Sequence, residues 1–237
     1  MQRYFATINF FPQVGLSNDD IHHLLHVMRM KKGDEIEVVA ENKAYLCRLE
    51  NISPLSVVVV HEIDNDVELK EEITLLFALT KGDKIDLVIQ KATELGVSKI
   101  ALIESERSVV TYQGKDTEKK IVRFEKIIKE ASEQSHRLKI PQILGIFDLK
   151  NLPLQVMSDL NYVAYECDAS QVETMFSGIT KGKSISLLIG PEGGFSELEI
   201  KMLTEKGFIR TSLGKRILRA ETAAIYGLSV LGYILEI

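Results

Sequence analysis

The 237-residue sequence predicts an α/β protein in two parts: a small strand-rich N-terminal domain and a larger domain of alternating strands and helices. Short alternating or β-branched runs dominate the first part, and a strand–helix rhythm runs through the second. Charge divides at the same place. Residues 1–72 hold 7 basic and 13 acidic side chains, net −6, and residues 73–237 hold 22 and 21, net +1. The acid-rich stretch Val67–Glu72 marks the boundary, giving domains 1–72 and 73–237. At 45% hydrophobic and 27% charged, the composition is that of a globular protein and excludes collagen, coiled coil and disorder. No apolar run reaches the roughly 18–20 residues of a membrane span, and Met1–Phe5 carries no secretion signal. Cys47 and Cys167 form no CxxC pair, which suits a reducing cytosol.

Taken in order, a helix is expected over Asn18–Met30, with Ile21, Leu24, Leu25 and Met28 at helical spacing. Strands follow at Glu35–Ala40, Tyr45–Glu50 and Ser56–His61. Lys32-Gly33-Asp34 and Glu41-Asn42-Lys43 supply turns, so the small domain reads as a barrel. In the larger domain, Ile73–Leu79 is a buried-type strand, and the helix Asp83–Leu95 is closed by Gly96. Ser98–Ile103 is the next strand, and a charged helix spans Glu118–Arg137. Strands at Ile143–Phe147, Tyr162–Glu166, Ile185–Ile189 and Ile209–Leu213 and a last helix over Thr222–Leu235 complete a mostly parallel sheet covered on both faces.

Ligands of such sheets collect at the carboxyl ends of strands, and two loops there are unusual. Ile189-Gly190-Pro191-Glu192-Gly193-Gly194-Phe195 leaves one strand and leads into Ser196-Glu197-Leu198-Glu199, a capping box. Its glycines let backbone groups approach a ligand closely. GxGxxG is absent, and Gly182-Lys183-Ser184 is no P-loop, because position 177 is Ser and the triplet precedes a strand. The second loop runs from Leu213 into Gly214-Lys215-Arg216-Ile217-Leu218-Arg219-Ala220-Glu221-Thr222. From Lys206 to Ala220 there are five basic residues, Lys206, Arg210, Lys215, Arg216 and Arg219, and no acidic one, which points to an anion partner or else to a solvated loop balanced by acids elsewhere in the fold. The last helix carries Ala223, Ala224, Gly227, Ser229 and Gly232, small residues that admit a second backbone, from a dimer partner or from the same chain.

These two loops resemble those of the RsmE family, the bacterial 16S ribosomal RNA uracil-N3 methyltransferases of the knotted SPOUT class. Gln90–Val97, Glu106-Arg107-Ser108, Glu133-Gln134-Ser135 with Arg137, His23–Met30 and Gly33-Asp34 extend the similarity over nearly the whole chain. Ser135-His136 stands where many relatives carry Cys-Gly. The resemblance implies a PUA-like N-terminal domain and a C-terminal parallel-sheet domain with a trefoil knot. It also implies S-adenosylmethionine (SAM) as methyl donor with S-adenosylhomocysteine as product, a homodimer, and a cytoplasmic enzyme acting on 16S ribosomal RNA of the small subunit. The donor would lie among Leu79, Leu188, Ile189, Gly190, Glu192, Gly193, Gly194, Leu213, Gly214, Ile217, Leu218 and Thr222.

Methyl transfer is an in-line displacement that depends on positioning. Uracil N3 must also lose its proton, which places negative charge on O2 and O4. Arg219, with Arg137 as the second candidate, would stabilise that charge or else hold RNA phosphate. Glu221 is either the proton acceptor or a partner of the helix dipole. Arg3, Arg29, Lys31, Lys32, Arg107, Lys215 and Arg216 are the RNA-contact candidates. His22, His23 and His26 have metal-compatible spacing, but no HExxH motif or neighbouring Cys accompanies them, and no metal is expected. Two alternatives are a SPOUT methyltransferase of another RNA position, such as a ribose 2′-hydroxyl, and a non-catalytic RNA-binding or SAM-sensing protein. The overall charge of −5 seems to oppose an RNA partner, yet the acidity belongs to the small domain.

Overall fold

The computed structural model describes residues 1–64, 67–108, 110, 114–165, 176 and 178–236. Glu166, Cys167 and Ser177, named above, lie outside the described residues. The chain forms two units, Met1–Glu68 with Ser132–Lys139, and Leu69–Ala131 with Ile140–Ile237.

The first unit contains β1 (Arg3–Phe5), β2 (Thr7–Phe10), β3 (Gln13–Gly15), β4 (Glu35–Ala40), β5 (Lys43–Ile52) and β6 (Leu55–Ile63). Their order is β1-β4-β5-β6-β3-β2, so the edge strands are β1 and β2, separated only by Ala6. Six strands laid flat at about 4.8 Å spacing would put those edges roughly 24 Å apart. One residue spans at most about 3.6 Å. The sheet must therefore close on itself, and β2 does approach β4 beside the other edge. Tyr4, Leu24, Ile36, Val38, Cys47, Leu49 and Val57 form the barrel core. Burial there pushes the Cys47 thiol up to about 12, so it is an inert core residue. Glu41 and Asn42, with φ of 52° and 61°, make the two-residue turn joining β4 to β5.

The helix expected over Asn18–Met30 is present but not uniform. Helix α1 (Asn18–His22) starts on Ser17, whose hydroxyl accepts from the Asp20 N–H. It widens into a π-turn at His23–Val27, and Arg29, at φ 54°, ends it. Hydrophobic periodicity does not register a single widened turn.

The second unit is a six-stranded sheet of order β12-β10-β11-β7-β8-β9, parallel throughout. Its elements are β7 (Ile73–Ala78), α2 (Lys84–Glu94), β8 (Lys99–Glu104), α3 (Lys115–Gln134), β9 (Gln142–Asp148), β10 (Leu160–Ala164), β11 (Ile185–Ile189), α4 (Glu197–Glu205), β12 (Phe208–Thr211) and α5 (Ala220–Glu236). Ile73, Leu75 and Phe77 pack with α2, α3 and α5 on one face. Leu76, Leu188, Ile200, Leu203 and Phe208 pack with α4 on the other. Gly96, at φ 87°, closes α2 as expected: Val97 N–H donates to the Ala92 carbonyl at 3.1 Å and Gly96 N–H to Thr93 at 3.2 Å.

Helix α3 ends by the same motif, with Arg137 N–H on the Ser132 carbonyl at 3.0 Å and His136 N–H on Glu133 at 3.4 Å. Here the left-handed position belongs to His136, at φ 59°. The Ser135-His136 departure from Cys-Gly therefore falls where glycine is favoured, and the His136 Nδ1 gains a contact with Glu37 at 3.1 Å.

The small residues of α5 have different surroundings. A Cβ on Gly227 would lie 2.8 Å from Leu187 Cδ2, with Leu213 and Phe176 beyond, so β11 of the same chain accounts for this glycine. A Cβ on Gly232 would meet nothing within 4 Å. Gly232→Ala should therefore stabilise the protein by about 0.5–1 kcal/mol through helix propensity. Gly227→Ala should destabilise it by about 1–2 kcal/mol, because overpacking against a buried strand exceeds that gain. Urea denaturation of both variants checks the opposite signs.

Candidate active site

The parallel sheet decides where a ligand can lie. β7 and β11 are neighbours, but the chain leaves β7 for α2 on one face and leaves β11 for α4 on the other. Connections diverging from adjacent strands open a crevice at their carboxyl ends. Leu79 follows β7 and is fully buried, Leu188 and Ile189 end β11, and Gly190–Gly194 begin the loop beyond it. Leu213, Gly214, Ile217, Leu218 and Arg219 occupy the connection from β12 to α5, with Glu221 and Thr222 in the first turn of α5. Leu213 and Leu218 pack on the α2–α5 core, whereas Ile217 is 80% exposed.

Lys84, the first residue of α2, brings these connections together. Its Nζ lies 2.8 Å from Glu192 Oε1 and 3.7 Å from Glu221 Oε2. Partial burial pushes the Glu192 carboxyl up, but the Lys84 hydrogen bond, the Lys84 charge and backbone N–H donors outweigh it and hold the group below the usual range.

The loop is fastened on its other side by the segment after β8. Arg107 Nη1 donates to the Gly193 carbonyl at 2.8 Å, and its methylene stem passes where a Gly193 Cβ would come within 3.4 Å. Glu106 N–H donates to Glu199 Oε1 at 2.8 Å, and Ser196 Oγ donates to Glu106 Oε2 at 3.0 Å. The Ser196–Glu199 capping box is present as the sequence predicts. Gly194 N–H returns to the Pro191 carbonyl at 2.9 Å, so the loop is a fixed turn.

Two buried oxygens in these connections, Thr80 Oγ1 and Glu221 Oε2, have no hydrogen-bond partner among the described residues. Buried polar atoms are rarely left so. A ligand with hydrogen-bonding edges would supply their partners, and the glycine-bearing turn and apolar Leu79, Leu213 and Leu218 would suit its flat apolar parts.

The remaining site candidates have varied settings. Lys215, Arg216 and Arg219 are exposed beside the crevice, and no carboxylate among the described residues pairs with them. In the N-terminal unit, Arg29, Lys31 and Lys32 are exposed at the end of the π-turn. Arg3 is 2% exposed, forked on Glu37 at 2.6 and 2.9 Å and donating to the carbonyls of His136 and Arg137. Arg137 is 4% exposed and pairs with Glu68 at 2.7 Å. Its backbone segment belongs to the N-terminal unit, whereas Arg219 belongs to the other. Thr80, Lys84, Glu106 and Glu199 escaped functional notice in the sequence. The turn Lys81-Gly82-Asp83 after a buried-type strand is the signal that marks the first two. Among the described residues, no three His, Cys, Asp or Glu side chains cluster as metal ligands would.

A parallel α/β domain with such a crevice, joined to a small closed barrel, meets two family models: RNA methyltransferase domain over residues 67–232 and RNA methyltransferase PUA domain over residues 16–60. The fold and site thus define an RNA methyltransferase with a PUA-like domain. A Bacillus subtilis protein named ribosomal RNA small subunit methyltransferase E is 36% identical, covering 100% of this chain and 98% of its own. A putative methyltransferase of Legionella pneumophila, solved in complex with the cofactor SAM, is 30% identical with a TM-score of 0.89, covering 99% of this chain and 98% of that one. A ribosomal RNA small subunit methyltransferase E of Neisseria gonorrhoeae, bound to S-adenosyl methionine, is 28% identical with a TM-score of 0.82 over 99% and 98%. The chain belongs to the ribosomal RNA small subunit methyltransferase E family.

The Glu68–Arg137 pair makes stability depend on pH. Burial raises the Glu68 carboxyl, but Arg137 and the N–H groups of Leu138 and Lys139 outweigh it and hold it below its ordinary 4.5. A carboxyl depressed in the folded state contributes stability above its unfolded value, and loses it as pH falls through the folded one. Glu68→Gln should lower stability at pH 7 by about 2 kcal/mol. It should also flatten the decline below pH 4.5, as measured by urea denaturation across pH.

Proposed function

We propose that this protein transfers a methyl group from S-adenosylmethionine to N3 of a uridine in 16S ribosomal RNA. The observation that carries the assignment is the crevice at β7 and β11, with a fixed glycine-bearing turn, two buried oxygens that accept no hydrogen bond from the described residues, and exposed Lys215, Arg216 and Arg219 at its edge. The SAM complexes of the Legionella and Neisseria proteins support the donor, and the family name supports the ribosomal substrate. When bound, the donor supplies an electrophilic methyl carbon on a sulfonium. The residues that would hold it are Leu79, Leu188, Ile189, Gly190, Glu192, Gly193, Gly194, Leu213, Gly214, Ile217, Leu218 and Thr222, in the loops that the resemblance assigns to the knot.

The rest falls to the chain's own groups. As the N3–carbon bond forms and the sulfur–carbon bond breaks, the N3 proton must leave. Glu221 Oε2 is an acceptor with no hydrogen bond of its own, and it receives that proton. Arg219 lies two residues away and is exposed. Its guanidinium stabilises the charge that develops on O2 and O4, where fixed donors are most effective. Arg29, Lys31, Lys32, Lys215 and Arg216 hold phosphate, and binding weakens with salt. Arg3 is forked on Glu37 and Arg137 is paired with Glu68, both within the N-terminal unit, and Arg107 shapes the donor loop. We assign the outward face of α5, with Tyr226, Ser229 and Tyr233, to a homodimer contact, and place the enzyme in the cytoplasm, where ribosomal subunits form.

Arg219→Ala should lower the single-turnover rate on small-subunit particles about 100-fold while RNA affinity moves less than about threefold. Arg219→Lys should retain part of the rate, since it keeps the charge but not the planar fork. Lost RNA binding with an unchanged single-turnover rate at saturating RNA would remove Arg219 from the chemistry. Nucleoside mapping of the labelled methyl decides the acceptor, and label on a ribose hydroxyl would overturn the N3 assignment.

A further inference from the structure

We propose that Lys84 is a positioning residue of the donor site, tying the glycine-bearing loop after β11 to the first turn of α5. The inference rests on the function proposed above and adds a residue to it. Lys84 stands at the first position of α2, where the helix dipole disfavours a cation. What compensates is a pair of carboxylates from two other connections, Glu192 at 2.8 Å and Glu221 at 3.7 Å. The Glu192 contact spans the crevice, because α2 covers one face of the sheet and α4 the other.

An ion pair this accessible, with side chains 32% and 36% exposed, adds little to global stability. Its effect is local. The loop contains Gly190, Gly193 and Gly194, and such a segment loses much conformational freedom when a ligand orders it. Arg107 fixes the loop at the Gly193 carbonyl, and Lys84 fixes it at the adjacent side chain of Glu192. Held at both points, the loop is in place before the donor arrives, which lowers the entropy lost on binding. Lys84 also sets the distance between that loop and Glu221, and so between two groups that must act in one geometry.

Calorimetric titration of S-adenosylhomocysteine into the full chain tests this, using wild type, Lys84→Met, Lys84→Arg, Glu192→Gln and the double variant Lys84→Met/Glu192→Gln. Lys99→Met serves as control, since it removes a Lys99–Glu72 pair of 2.7 Å at the opposite ends of the strands. Lys84→Met and Glu192→Gln should each weaken binding about tenfold, and the double variant no further than either single one. Lys84→Arg should recover most of the affinity, Lys99→Met should stay within about twofold of wild type, and the KM for RNA should hold while kcat falls. Affinity of Lys84→Met within about twofold of wild type, or additive losses in the double variant, would overturn the tether. Should Lys84→Met fail to fold, Glu192→Gln against Lys99→Met decides the same point. Wild-type protein that binds S-adenosylhomocysteine but methylates no ribosomal RNA would refute the proposed function while the titrations still judge the tether.

Discussion

Burial of β7 and β11 on both faces is the constraint on which the rest of the molecule depends. Every residue of both strands is buried, and their backbone groups pair with parallel neighbours. Neither strand offers a surface to a polar ligand along its length. Backbone freedom and polar side chains return only where the strands end, and there the chain must reach helices on opposite faces. The crevice is a product of that divergence: the glycines and the capping box lie in the connection leaving β11, and Lys215, Arg216 and Arg219 in the one from β12 to α5.

Those connections are short, and each is secured by a group from another. Arg107 and Glu106, after β8, hold the loop after β11 and the start of α4. Lys84, after β7, meets Glu192 and Glu221. Individually such exposed pairs contribute little. Collectively they hold the loops around the crevice, where the buried oxygens Thr80 Oγ1 and Glu221 Oε2 accept no hydrogen bond from the described residues, although Lys84 lies 3.7 Å from the latter. A site can retain unsatisfied polar atoms when binding supplies their partners.

Much of this is legible in the residues themselves. The two central strands, β7 and β11, are mainly apolar runs of six and five residues, and Gly96 and Ser196-x-x-Glu199 mark helix ends by chemistry that acts within one turn. The elements that escape are those whose cause lies elsewhere in the chain. β1, β2 and β3 are three or four residues long and too short to show a period. The π-turn at His23–Val27 keeps the hydrophobic spacing of an ordinary helix. Residues 132–137 read as the end of a charged helix, yet Arg3, Glu37 and Glu68 draw the segment 132–139 into the N-terminal unit. Arg3 and Arg137, basic residues of the kind that hold phosphate, are buried in the same network.

By itself the sequence determined the alternation of elements, the separation of charge between two parts, and the two loops that mark the family. All of these depend on residues within a turn or a strand of one another, so local chemistry suffices. Tertiary structure alone decided which basic residues are exposed, that an edge-to-edge link of one residue closes the barrel, and that Lys84 meets carboxylates 108 and 137 positions away. Those outcomes depend on long-range closure, where the pairing of two charges follows from strand order rather than from any pattern along the chain.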